Sequence, residues 1–206
     1  MLTGSLLVLT VPEQMTYAPY NNRATGDCRV IDLATGEELA VPENAYACAV
    51  AGDYLAFAVC NVPEDYVQED EWGDDLTVYR AVQVQDRQGE VVYQAELSGL
   101  SSFYASSSDS SAPTDWLVLS HYNEDGTIGA DSLYNPTTGE ELNNYQQYTG
   151  AGTVSLYNDG RYQLVDLLST EQSEVLCEYD QPIRYYVPGA AVTEPEVSAP
   201  ETAGRY

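Results

Sequence analysis

Seven of the twelve residues from 64 to 75, EDYVQEDEWGDD, are acidic. They lie between two apolar runs, so the stretch reads as a loop that could turn several carboxylates onto one cation. Calcium takes about six to eight hard oxygen ligands in flexible geometry, which makes Asp70, Asp74 and Asp75 the candidate metal ligands and calcium the candidate cofactor. A solvated acidic turn is the commoner outcome for such a run. The run Asn123-Glu124-Asp125-Gly126 fails as an EF-hand, because His121 and Ser132 stand where the first and last ligands belong. Tyr66 and Trp72 sit within the acidic stretch and are the candidate ligand-binding residues, since loops on a rigid sheet scaffold commonly carry recognition. Packing of Trp72 beneath its own loop fits the same residues equally well.

Nucleophilic catalysis finds little support. His121 is the single histidine, at a strand end in LSHYNEDG, and no GxSxG elbow accompanies it. A pair of carboxylates at glycosidase separation arises by chance in any fold with 33 acidic residues, so no pair can be ranked. Cys28, Cys48, Cys60 and Cys177 show no CxxC and no metal-ligand spacing. Each sits in an apolar run, so buried thiols and disulfides both remain open. There is no Walker loop, no GxGxxG and no basic stripe.

Charge narrows the partners. The chain carries 33 acidic residues against 7 basic ones, all arginine, for a net charge of −26. Such a surface repels phosphate backbones and anionic headgroups, which disfavours nucleic acid and membrane surfaces. No run approaches the ~20 apolar residues of a membrane span. At 206 residues and 44% hydrophobic composition the chain can bury a sizeable core. Eighteen tyrosines against two phenylalanines fit half-buried sheet surfaces, with the ring packed and the hydroxyl wet. Acidity, tyrosine content and the tail described below point to an exported protein, at the cell surface or secreted, with an export signal outside this stretch.

The elements that must position these residues follow from a recurring phrase. Residues 30–39 read VIDLATGEEL, 84–92 read VQDRQGEVV and 134–142 read YNPTTGEEL; a degenerate copy, VDLLSTEQSEVL, spans 165–176. Each copy is a strand end, an Asp or Asn that can cap a turn, a few polar residues, a glycine suited to positive φ, and a second strand. In the fourth copy Thr170 replaces the glycine. Upstream of each lies another strand candidate: 6–10 (LLVLT), 54–59 (YLAFAV), 116–120 (WLVLS) and 154–157 (VSLY). The last passes through Asn158-Asp159-Gly160 into 161–167, the clearest hairpin in the chain. Long inner loops fall at 12–27 and 61–75, and a Ser-rich stretch at 101–114 separates the second unit from the third. No segment carries a helical period.

The expected fold is therefore all-β: about four antiparallel β-meander units over residues 1–188, arrayed like propeller blades, with a twisted β-sandwich as the alternative. Residues 189–206, rich in Pro, Ala, Thr and Glu, read as a disordered tail. The strand–Asp–x–x–Thr–Gly–Glu phrase resembles the outer hairpin of blades in quinoprotein-like, WD-repeat-like and related bacterial propellers, and the resemblance covers residues from about 6 to 188. It implies the fold and no activity, because no quinone or metal ligand of those families has a matching motif here. The functional expectation is a non-catalytic module that binds a protein or a glycan through blade loops. A carbohydrate-active hydrolase or lyase and an architectural segment of a larger surface protein are the alternatives.

Overall fold

The computed structural model describes residues 2–3, 5–12, 26–63, 77–101, 113–168, 172–187 and 190–193. Among these the regular structure is β-strand with one 3-10 turn, and the chain divides into two compact units that meet in sequence at Tyr145.

The first unit holds three antiparallel meanders. Strands β1 (Leu2–Thr3), β2 (Leu6–Pro12), β3 (Gly26–Asp32) and β4 (Glu38–Leu39) form the first, in chain order. Strands β5 (Ala45–Ala51), β6 (Tyr54–Cys60), β7 (Arg80–Gln85) and β8 (Val91–Glu96) form the second, with the 3-10 turn Thr77–Tyr79 leading into β7. The third comprises β9 (Ser98–Ser101), β10 (Leu117–Tyr122), β11 (Ile128–Asn135) and the first half of β12 (Glu140–Gly150), which pairs with β11 from Glu140 to Tyr145.

Period-two alternation explains how these meanders pack. In β6, Leu55, Phe57 and Val59 join Leu6, Val8, Cys28 and Val30 of the first meander in one apolar cluster. Ala56 faces the other way and joins Val82 and Val84 in a second cluster with Leu117, Leu119 and Tyr134 of the third meander. The middle sheet is thus buried on both faces, which is why residues 54–59 read as a continuous apolar run and not as an alternation. Burying a ring such as that of Phe57, fully shielded here, contributes about 1.5–3 kcal/mol. The fourth strand of the same meander behaves differently: β8 is exposed or half-buried along its length.

The phrase turns form as the residues dictate. The Asp32 carboxylate accepts from the Ala34 amide at 2.8 Å, and Gly36, at φ 77°, donates its own N–H to the Asp32 carbonyl at 2.7 Å. Asp86 accepts from the amides of Gln88 and Glu90, each at 2.9 Å, and Asn135 from Thr137 at 2.9 Å. Side-chain caps and a left-handed closing residue together close these turns locally.

The second unit begins in the same strand, from Gln146 onward, and continues through β13 (Thr153–Asn158), β14 (Arg161–Asp166) and β15 (Glu174–Tyr179) as a meander. Asp159 and Gly160, at φ 52° and 79°, close the β13–β14 hairpin. A separate hairpin follows, β16 (Ile183–Val187) and β17 (Ala190–Thr193). Tyr148, Val154, Leu164 and Ile183 are among its fully buried side chains, and the Gln147 side chain donates to the Ile183 carbonyl.

Two details depart from the expectation. Ala190–Thr193, placed in the tail by composition, pairs with β16. The Ser-rich stretch follows β9, so it lies inside the third meander and not ahead of it. Residues 194–206 lie outside the described residues.

Candidate functional site

Antiparallel meanders send alternate connections to opposite ends, and in the first unit those ends differ in chemistry. At one end lie the short turns. There the Gln85 side-chain amide donates to the Ala40 carbonyl at 2.6 Å, Gly52 N–H donates to the Thr114 carbonyl at 3.2 Å, and the Arg87 guanidinium lies 3.8 Å from Asp32 and 3.5 Å from Asp53. Turns from all three meanders are therefore neighbours.

At the other end, Cys60 N–H donates to the Asn44 carbonyl at 3.2 Å and Tyr122 N–H to the Leu97 carbonyl at 2.7 Å, joining the second meander to its own first strand and to β10. Arg80, the first residue of β7, sits here between two tyrosines: its guanidinium carbon lies 5.9 Å from the ring centroids of both Tyr46 and Tyr122. Its Nη1 also donates to the Tyr122 hydroxyl at 3.5 Å. A guanidinium over aromatic faces gains about 0.5–2 kcal/mol per contact, more as water is excluded. Burial pushes the Tyr46 phenol up, with Arg80 opposing. All three side chains are half-buried, so the cluster presents aromatic edge and guanidinium together.

β6 ends at Cys60 and β7 begins at Arg80, both at this end, and the chain between them runs from Asn61 to Tyr79. Tyr66 and Trp72, and Asp70, Asp74 and Asp75, all belong to that segment and lie outside the described residues. Among the described residues no group of three or more His, Cys, Asp or Glu is placed to hold a metal ion. The stretch 123–126, weighed above as a calcium loop, is an ordinary hairpin turn: Gly126 N–H donates to the Asn123 carbonyl at 2.9 Å, and Asp125 accepts from the Thr127 amide at 3.0 Å and hydroxyl at 2.6 Å.

A polar chain that sequence reasoning missed crosses the third meander. His121 lies within β10, because the strand runs past Ser120 to Tyr122. Its Nδ1 is 2.9 Å from Ser98 Oγ and its Nε2 is 2.7 Å from Ser132 Oγ. Ser132 Oγ lies 3.1 Å from Glu141, whose other oxygen accepts from the Tyr93 hydroxyl at 3.3 Å. The Tyr93 ring stacks on Tyr134 with centroids 4.0 Å apart, and burial together with the Glu141 charge pushes its phenol up to about 12. Serine, histidine and carboxylate in sequence suggest a relay, but Ser98 and Ser132 are both 0% exposed, so no substrate reaches either hydroxyl. The Ser98 hydroxyl also donates to the Glu96 carbonyl at 3.0 Å. The chain satisfies buried polar groups across neighbouring strands and does not assemble a nucleophile. The available signal was parity: continuing β10 by two residues puts His121 in step with the inward Leu117 and Leu119.

No family model matches the chain, and no curated protein matches it. Among solved structures it is similar to the acylaminoacyl peptidase of Pyrococcus horikoshii, uncomplexed (16% identity, TM-score 0.42, 92% of this chain and 30% of that one) and in an orthorhombic crystal form (17% identity, TM-score 0.40, 93% and 30%). The chain thus spans under a third of the length of those structures, and likeness of this degree assigns neither fold nor activity.

Proposed function

We propose that the chain is a non-catalytic binding module, built from propeller-like blades, that takes a neutral glycan at the loop-bearing end of its first unit. Two four-stranded meanders and the first strands of a seven-stranded sheet, packed face to face, with the inner strands of the middle meander buried and its fourth strand exposed, support the blade reading. The observation that carries the functional reading is the Tyr46–Arg80–Tyr122 cluster at the end from which residues 64–76 depart. Tyrosine edges and hydroxyls pack and hydrogen-bond against sugars, and the Arg80 guanidinium holds the two rings in place. The net charge of −26, with seven carboxylates between 64 and 75, repels acidic sugars and leaves neutral ones. Such a ligand suits an exported protein.

The test is a glycan array probed with wild type and with a Tyr66→Ala, Trp72→Ala double variant. The reading expects a discrete set of neutral glycans bound by wild type and lost in the variant, with melting unchanged. An array blank for wild type, or binding retained by the variant, would overturn it.

A further inference from the structure

The first and second meanders meet through an apolar cluster that contains two thiols. Cys28 lies in β3, opposite Thr10 of β2, and is buried among Leu6, Val8 and Val30. Cys48 lies mid-strand in β5, opposite Phe57 of β6, and packs against the same cluster from the second sheet. The two thiols thus reach one apolar cluster from facing sheets, and Cys48 Sγ also lies 3.6 Å from the Ala49 carbonyl. β3 and β5 are neighbours, so two thiols 20 residues apart in sequence stand on facing strands within one cluster, the placement a disulfide between sheets requires.

We propose that Cys28 and Cys48 form a disulfide that staples the first meander to the second, leaving Cys60 and Cys177 as thiols. The oxidant is a disulfide of the glutathione class. The Cys28 thiolate attacks one sulfur of that disulfide and expels a thiolate, forming a mixed disulfide; Cys48 then attacks Cys28 Sγ and expels the second. Two protein S–H bonds are replaced by one S–S bond, and the two electrons and two protons leave on two small thiols. The exchange belongs to folding, before the sheets close over Cys28, since the thiolate must be reached by its oxidant. No glycan ligand is required for it, only an oxidising thiol–disulfide poise.

The test is to refold the full-length chain in a reduced and oxidised glutathione buffer, block remaining thiols and map the tryptic peptides. Arginines at 23, 29 and 80 put Cys28 on the peptide 24–29, and both Cys48 and Cys60 on 30–80. A Cys60→Ser variant makes a link between those peptides unambiguous. The expected result is a 24–29 to 30–80 link in wild type and in Cys60→Ser, accompanied by a rise in melting temperature of roughly 5–10 °C that dithiothreitol reverses. Cys28→Ser and Cys48→Ser should lose both the link and the rise. Four blocked thiols after refolding, or another pairing in the majority, would overturn the proposal.

Discussion

The two ends of the first unit are built from the same strands and held by different means. At the turn-bearing end the connections from third to fourth strand are a few residues long and closed by their own side chains, as Asp32, Asp86 and Asn135 do, while the longer 102–116 connection of the third meander also reaches this end. At the loop-bearing end the connections between second and third strands run to residues 13–25 and 64–76, and contact is made by long side chains, Tyr46, Arg80 and Tyr122. Local hydrogen bonding closes each of these turns, and Gln85, Arg87 and Gly89 bring turns of neighbouring meanders into contact. The loop-bearing end can vary its loops without disturbing a sheet, because loop-closure cost grows only slowly with length. Scaffold and recognition are thereby separated along one strand direction.

The largest effects should come from the turn-bearing end. Gly89 is at φ 88°, and a Cβ there would stand 3.1 Å from the Ala40 side chain. Gly89→Ala should therefore cost roughly 2 kcal/mol in urea unfolding, from strain and crowding together. Gly36, at φ 77° with open space around it, should cost about 1 kcal/mol as alanine. Equal costs at the two sites would remove the close approach of the first and second meanders from the account.

Smaller effects test whether charge joins the turns. Arg87 reaches Asp32 and Asp53 only at 3.8 and 3.5 Å and is partly solvated. Arg87→Ala should lower stability by less than about 1 kcal/mol, the range of surface ion pairs, and the loss should shrink in high salt.

At the loop-bearing end stability should barely respond. Replacing residues 65–75 by a Gly/Ser linker of equal length should leave the melting temperature within about 2 °C, since the flanking strands keep their pairing. Calcium and magnesium, compared at constant ionic strength, should shift wild type and an Asp70→Asn, Asp74→Asn variant equally, as screening does. A calcium-selective rise lost in that variant would make 64–75 a metal site and place a structural role at this end.

Turns were readable in the sequence because their physics is local: an Asp or Asn cap and a glycine identify them wherever they fall. Strands β5 and β9 were not readable. Residues 45–51, AYACAVA, and 98–101, SGLS, are made of small side chains with little apolar contrast. They are strands because neighbouring sheets cover them, which is a tertiary effect that propensity does not carry. The same holds for Ala190–Thr193, whose composition resembles a tail and whose pairing with β16 makes it a strand. At the candidate site, Tyr66 and Trp72 stood out as aromatics in an acidic loop, whereas Arg80 and its tyrosines come from three separate strands. Their meeting depends on sheet stacking and has no sequence signature.

The most direct measurement uses the two tryptophans. Trp116 precedes β10 beside the short turns and is 6% exposed, whereas Trp72 belongs to the segment that leaves from the Arg80 end. Trp116→Phe and Trp72→Phe variants leave one reporter each, to be titrated with a neutral oligosaccharide bound by wild type on the array. Binding at the loop-bearing end predicts a saturable emission change in Trp116→Phe and none in Trp72→Phe. A saturable change in Trp72→Phe with a silent Trp116→Phe would put recognition at the turn-bearing end and contradict the account.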